Sequence, residues 1–347
     1  MEALIARAIE DTSVLRKKSV PWNADEPHFQ PYYVFDTATS SWIPKYPSTD
    51  GGQNNDSARI TTISLYTWNI DFILPFPEAR MKPALAYLDR LTSPETLPPT
   101  TAPVIFLQEC TPSDLTTIST TRWVRDRFHL TDLDHTNWAT SHYGTIALVD
   151  SRVPITAAFR VHYSKTRMDR DALFIDVCLG LDGQKIRLCN THLESAAFDP
   201  PFRPLQMQLV ARYMHDEHIH ASLAAGDFNA IQLFDRTLHK DGNINLKDAF
   251  LELGGKEDTE DSFTWGQQAA TKLREQFGCS RMDKIYICGH AKLIKFERFG
   301  EDVLTEGEKE CKQILELGFE KPWVTDHLGV MAEVQVVLHH GQNQLWV

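Results

Sequence analysis

From Ile60 onward the apolar and polar positions predict strands and helices in turn. ITTISLYTW (60–68) alternates with period two, as a half-buried strand does. VIFL (104–107) is a short unbroken apolar run suited to a strand covered on both faces. Between them Met81, Leu85 and Leu88 recur at helical spacing over 78–91. GTIALV (144–149) predicts another strand, and ALFIDVCLGL and QKIRLCNTHL flank Asp182-Gly183, a hairpin signal. Pro204 opens a predicted helix with Leu205, Leu209, Tyr213 and Met214 on its apolar face. SLAAGDF (222–228), DKIYICG (283–289) and LGVMAEVQVVL (328–338) supply further strands, whereas 292–312 reads as a charged, exposed insertion. Interleaved helices together with hairpins predict an α/β domain with mixed sheets.

Residues 1–58 have a different texture: a short amphipathic stretch, a Pro-, Trp- and Tyr-rich segment, then the polar run STDGGQNNDSA. They predict an N-terminal extension and linker ahead of one catalytic domain over 59–347, the aromatic part either packing on that domain or binding a partner. Of the 347 residues 42% are hydrophobic, enough for a large core. No apolar run approaches the roughly 20 residues that cross a bilayer, and the N-terminus lacks a secretory pattern, so the expectation is an intracellular protein with no membrane partner. Six cysteines without a CxxC pair predict free thiols, and fourteen histidines without HExxH or a finger spacing exclude a recognisable zinc motif. A net charge of −12 argues against gripping nucleic acid by bulk attraction, but leaves room for a local cleft in which a metal supplies the positive field.

Short polar clusters sit at the strand ends: TWN at 67–69, QE at 108–109, NTHLES at 190–195, GDFN at 226–229, RMDK at 281–284 and TDH at 325–327. Each alone has a plain structural reading, such as a turn, a cap or a core histidine. Together they meet the needs of water attack on a phosphoester: a hard cation on the phosphate oxygens, an oriented water, and donors for the growing charge. Glu109 suits the cation, with the Asn69 carboxamide beside it, and Asp227 can hold the water. Asn229, His192 and His327 can contact the phosphate, and either Asp283 or Asp326 can fix the His327 tautomer. Lys272, Arg274, Arg281 and Lys284 flank Trp265 and read equally as a basic wall for single-stranded nucleic acid or as a mixed-charge surface.

The ordered set WN…QE…THLES…GDFN…MDK…TDH resembles the endonuclease/exonuclease/phosphatase superfamily over Ile60 to Leu338, and TWNI, LQEC, NTHLES and FTW look most like its 5′-tyrosyl-DNA phosphodiesterase branch. The resemblance implies a four-layer α/β/β/α sandwich of two packed mixed sheets and a Mg²⁺ or Mn²⁺ cofactor. It implies metal roles for Asn69, Glu109 and Asp326, and catalytic roles for Asn69, His192, Asp227, Asn229, Asp283 and His327. Substrate contacts fall to Ser195, Trp265 and Arg281. The implied partner is a DNA end, single-stranded with a 5′-tyrosyl adduct, and the implied location is the nucleus. One departure stands out: Ile231 occupies the position where that branch carries an Arg toward the nucleic acid. Other superfamily substrates (abasic sites, plain nucleic acid, lipid or inositol phosphates) and a catalytically dead binding protein remain as alternatives.

Overall fold

The structure, a computed structural model, describes residues 14–46, 60–180 and 183–337 together with Met1, Leu4, Arg7 and Glu10. Among them the chain forms β1 (Pro27–Phe29), β2 (Tyr32–Asp36), β3 (Ser41–Lys45), β4 (Thr62–Asn69), β5 (Thr101–Cys110), β6 (Phe128–Leu130), β7 (Gly144–Asp150) and β8 (Ile155–His162). There follow β9 (Asp171–Leu179), β10 (Gln184–His192), β11 (Ala221–Asp227), β12 (Lys247–Asp248), β13 (Asp283–Gly289), β14 (Ala291–Phe299) and β15 (Gly329–Val336). One sheet has the order β1-β8-β9-β10-β11-β13-β12 and the other β14-β15-β4-β5-β7-β6-β2-β3. Within each sheet a single pair runs parallel, β10 with β11 and β4 with β5. Parallel neighbours need a crossover, and the helices Arg203–Met214 and Pro77–Thr92 provide the two.

Period-two alternation explains the layering. Ile63, Leu65, Val104 and Phe106 of one sheet face Leu173, Ile175, Leu188 and Leu223 of the other and form the central core. On the outer faces Trp68, Ile105 and Leu107 pack under Met81, Leu85 and Leu88, while Phe174, Cys189 and Ala224 pack under Met207, Val210 and Met214. The architecture is thus the four-layer α/β/β/α sandwich expected. Among the described residues no helix is long and apolar enough to cross a membrane.

Two expectations are corrected, and the open choice for the aromatic N-terminal segment falls to packing. The helix near Pro204 starts at Arg203 and buries Met207, Val210, Ala211 and Met214, leaving Leu205 49% exposed. The buried Arg203 guanidinium pairs with Asp235 at 2.8 Å, so the inward position at the first turn belongs to Arg203. The charged 292–312 segment is no insertion: β14 pairs with β15 from Ala291↔Val336 to Phe299↔Gly329, and Glu308–Glu316 is helical. Leu293 and Phe296 turn inward while the charged residues blunt a sheet edge. The aromatic N-terminal segment is stitched into both sheets, β1 onto β8 and β2 between β6 and β3, with Trp42 Nε1 donating to Ser119 O. The polar run at 48–58 and Asp182 of the hairpin signal lie outside the described residues.

Candidate active site

The two parallel pairs point their C-terminal ends to the same side, where β13 and β15 begin, so the polar strand ends meet. Register puts His192 opposite Asp227 and Asp227 opposite Asp283. Gly226 makes that approach possible: a Cβ there would lie 1.8 Å from the Thr191 carbonyl oxygen. On β5 the ladder is irregular between Leu107 and Cys110, and Glu109 takes φ +59°, which aims its carboxylate out of the sheet. Just below, Gln108 Nε2 donates to Asn190 Oδ1 at 2.7 Å, bridging the sheets under the site.

Two further bridges cross between the sheets at the surface of the cleft. Asn69 Nδ2 donates to Asp227 Oδ2 at 3.0 Å, and His327 Nδ1 donates to Asp283 Oδ2 at 2.8 Å. Asp227 also accepts the Asn229 N–H at 2.8 Å and lies 3.3 Å from His192 Nε2. Burial opposes its ionisation, but His192, His327 and the Asn229 N–H outweigh it and hold the carboxyl well below the usual range. Arg170 Nη1 sits 2.5 Å from His192 Nδ1, and a guanidinium can only donate, so Nδ1 accepts and the proton resides on Nε2. Burial and then Arg170 lower the His192 pKa, in keeping with a neutral ring whose N–H faces Asp227. Burial alone would also lower His327, yet Asp283, Asp326 and Asp227 raise it well above an ordinary histidine. Asp283 itself, buried and beside Asp227, is pushed up to about 6.

The imidazolium assignment is open to a direct check. Asp283→Asn keeps an acceptor at Nδ1 but removes the nearest negative charge, so the His327 titration midpoint should fall, read by NMR of the ring resonances. An unchanged midpoint would remove Asp283 as the group that charges His327.

Opposite these bridges lies a cluster of carboxylates, Glu109, Asp326 and Asp71, the last of which the sequence reading had missed. Burial, then repulsion of Asp71 by Asp326 and by Glu109, raises Asp71 well above its ordinary value, and burial with Glu109 raises Asp326. Carboxylate oxygens of this kind are the donor type that a hard divalent cation prefers. Among the described residues Asp227, Asp283 and His327 are the three groups whose ligand atoms come within 4.8 Å of one another, although His327 would have to give up its proton to bind a cation. Asn69, expected as a ligand, accepts the Asp71 N–H on Oδ1 at 2.9 Å while its Nδ2 orients Asp227.

Two buried guanidiniums frame the cluster, and neither figured in the sequence reading. Arg170 lies 3.7 Å from Glu109 and 5.1 Å from the Tyr143 ring centroid, and its Nε has no partner. Arg80 donates to the carbonyls of Ile70, Asp71, Leu74, Pro75 and Val324, fixing the two loops that carry Asp71 and Asp326.

All these groups surround one cavity of about 700 Å³ lined by Glu109, His192, Asp227, Asn229, Asp326 and His327, with Asn69 and Asp283 bonded immediately behind it. Trp265 stands in its wall, and its Nε1 donates to Asp326 Oδ2 at 2.7 Å. Ser195 reaches the cavity with its hydroxyl on Met168 Sδ. Arg281 also lines it, but Asp248 and Glu257 take both edges of its guanidinium, so it offers the substrate no free fork.

The profile of the Endonuclease/Exonuclease/phosphatase family matches residues 66–327, the span that contains every one of these site residues. The chain belongs to that family. Membership places this endonuclease/exonuclease/phosphatase protein among phosphoester hydrolases. Within the family it is similar to Tyrosyl-DNA phosphodiesterase 2 of Gallus gallus, 25% identical over 283 residues that make up 80% of this chain and 68% of the relative. Its fold is that of crystal structures of D. rerio TDP2 complexed with single-strand DNA product (TM-score 0.60, 18% identity, 79% of this chain and 99% of that one) and of truncated Caenorhabditis elegans TDP2 (0.58, 21%, 79% and 98%).

Proposed function

We propose that this protein is a Mg²⁺- or Mn²⁺-dependent phosphodiesterase that hydrolyses 5′-phosphotyrosyl bonds at single-stranded DNA ends, repairing topoisomerase adducts in the nucleus. The reading is carried by one observation: Asp227, His327 and His192 line one cleft together with the carboxylates of Glu109, Asp326 and Asp71. The similarity to Tyrosyl-DNA phosphodiesterase 2 supports the substrate.

The chain's own groups divide the work. A divalent cation held by Glu109, Asp326 and Asp71 would supply Lewis acidity toward a phosphate oxygen. Asp227, fixed by Asn69 and Asn229, accepts a proton of the attacking water and aims its lone pair at phosphorus. His327 donates from Nε2 to a phosphoryl oxygen while Asp283 stabilises its charge at Nδ1. His192 Nε2–H and the Arg170 guanidinium add donors where negative charge grows. A tyrosyl leaving group departs as a phenolate of pKa about 10, so it needs little protonation.

The test is a matched pair of oligonucleotides, one with a 5′-tyrosyl group and one with an internal abasic site, under single-turnover conditions. The expected result is faster release of tyrosine, abolished by a chelator and restored by Mg²⁺ or Mn²⁺. Faster incision at the abasic site would refute the substrate, and undiminished activity in chelator would refute the metal.

A further inference from the structure

We infer that Arg16, in the N-terminal segment, is a positioning residue for the reaction: by engaging Asp169 it keeps the neighbouring Arg170 guanidinium on His192 and over Tyr143. The expected rates rest on the phosphodiesterase reading; the placement of Arg170 does not.

Residues 15–17 tie together the two loops that meet at Arg170. On one side Leu15 O accepts the Ser141 N–H at 3.3 Å, and the Lys17 N–H donates to Ala139 O at 3.0 Å. That contact lies just ahead of Tyr143, whose ring centroid is 5.1 Å from the Arg170 guanidinium. On the other side Arg16 Nη2 donates to Arg167 O at 3.0 Å, and Arg16 Nε lies 2.5 Å from Asp169 Oδ1. Asp169 has little else to turn to. Its side chain is 5% exposed, its φ is +56°, and its Oδ2 has no hydrogen-bond partner among the described residues. Burial pushes its carboxyl up, while Arg16 and then Arg170 pull it back. Arg170 in turn has a donor to spare, since its buried Nε is unpartnered while Nη1 sits 2.5 Å from His192 Nδ1. The Arg170 main chain is pinned from inside. Its N–H donates to Thr166 Oγ1 at 3.1 Å, and that hydroxyl donates to the buried Glu194 at 3.0 Å. A change at Asp169 is therefore answered by the Arg170 side chain.

Arg16→Ala leaves a buried carboxylate beside a guanidinium with a spare donor. An unpaired buried charge is costly, so Asp169 draws Arg170 away from His192. His192 then loses the group that holds its Nε2–H tautomer toward Asp227.

The experiment follows hydrolysis of the 4-nitrophenyl ester of thymidine 5′-phosphate with Mg²⁺, alongside crystal structures of the variants. Arg16→Ala should lower kcat about tenfold with KM within about twofold, because a displaced donor is missed most where charge develops. Adding Asp169→Asn removes the competing charge and keeps a residue that tolerates a left-handed backbone, so the double variant should return to within about twofold of the wild-type kcat. Arg16→Lys, which retains the charge without the fork, should stay within about threefold. Arg122→Ala, which removes an exposed ion pair with Asp126, should leave kcat in place. In crystals of Arg16→Ala the Arg170 guanidinium should lie on Asp169, clear of His192. Arg170 still on His192 in those crystals, or a double variant as slow as Arg16→Ala, would overturn the inference and reduce Arg16 to a surface brace. An ester untouched by the wild-type protein would overturn the phosphodiesterase reading instead, and the place of Arg170 in the Arg16→Ala crystals would still decide the inference.

Discussion

Asp227→Asn should lower kcat by about three orders of magnitude while the protein stays folded, because it removes the carboxylate proposed to accept a proton from the attacking water. In the structure Oδ1 takes the Asn229 N–H, and Oδ2 faces both Asn69 Nδ2 and His192 Nε2. A carboxylate satisfies all three donors; an amide cannot. Whichever way the Asn is turned, its NH₂ meets at least one donor that needs an acceptor, at a cost of about 1–3 kcal/mol. Stability should therefore fall modestly beside a collapse in rate, and the two are separated by a denaturant titration and single-turnover kinetics. A rate within tenfold of wild type would remove Asp227 from the chemistry.

Arg80→Met should destabilise the fold by about 3–5 kcal/mol, although the side chain touches no carboxylate oxygen and no substrate. Its guanidinium is fully buried and satisfies five main-chain carbonyls, at 2.5 Å for Ile70, 2.7 Å for Val324, 2.8 Å for Asp71, and 2.9 Å for Leu74 and Pro75. Met fills similar volume but donates nothing, so those carbonyls lie buried without partners. Its positive charge also lowers Asp71 against the push of burial, Asp326 and Glu109. Without it the carboxylate cluster should bind a cation more weakly in whatever fraction remains folded. Arg80→Lys should recover only part of the loss, since an ammonium lacks the planar fork. A shift in denaturation free energy below about 1 kcal/mol for Arg80→Met would refute the role.

What the sequence displayed, and what it hid, follows from where each residue finds its partner. Asn69, Glu109, His192 and Asp227 end strongly apolar strands, and a polar group there has few structural reasons to exist, so they were legible. Asp71 lies only two residues beyond Asn69 yet reads as a loop residue, because its neighbours in the carboxylate cluster come from β5 and from the loop before β15. Arg170 hides in the charge-dense stretch RMDRDA, where nothing distinguishes the one guanidinium that is buried. Arg80 bonds to backbone carbonyls, which no sequence pattern advertises. Arg281 misled in the opposite sense: its neighbourhood looked basic, but Asp248 and Glu257, 33 and 24 positions away, engage it. The segment around β14 was obscured by its own charge, which is what an edge strand needs and what an insertion would also carry.

The bridges Gln108–Asn190, Asn69–Asp227 and His327–Asp283 each join one sheet to the other, and the reacting groups are divided in the same way. Glu109 and His327 come with the eight-stranded sheet, His192 and Asp227 with the seven-stranded one. Neither sheet is half an enzyme. Catalysis thus reports on the docking of two preformed slabs, and a loosened state with native helix and strand content but a slipped interface would be inert. Turnover is in that sense a gauge of tertiary register, lost before any spectroscopic sign of secondary structure fades.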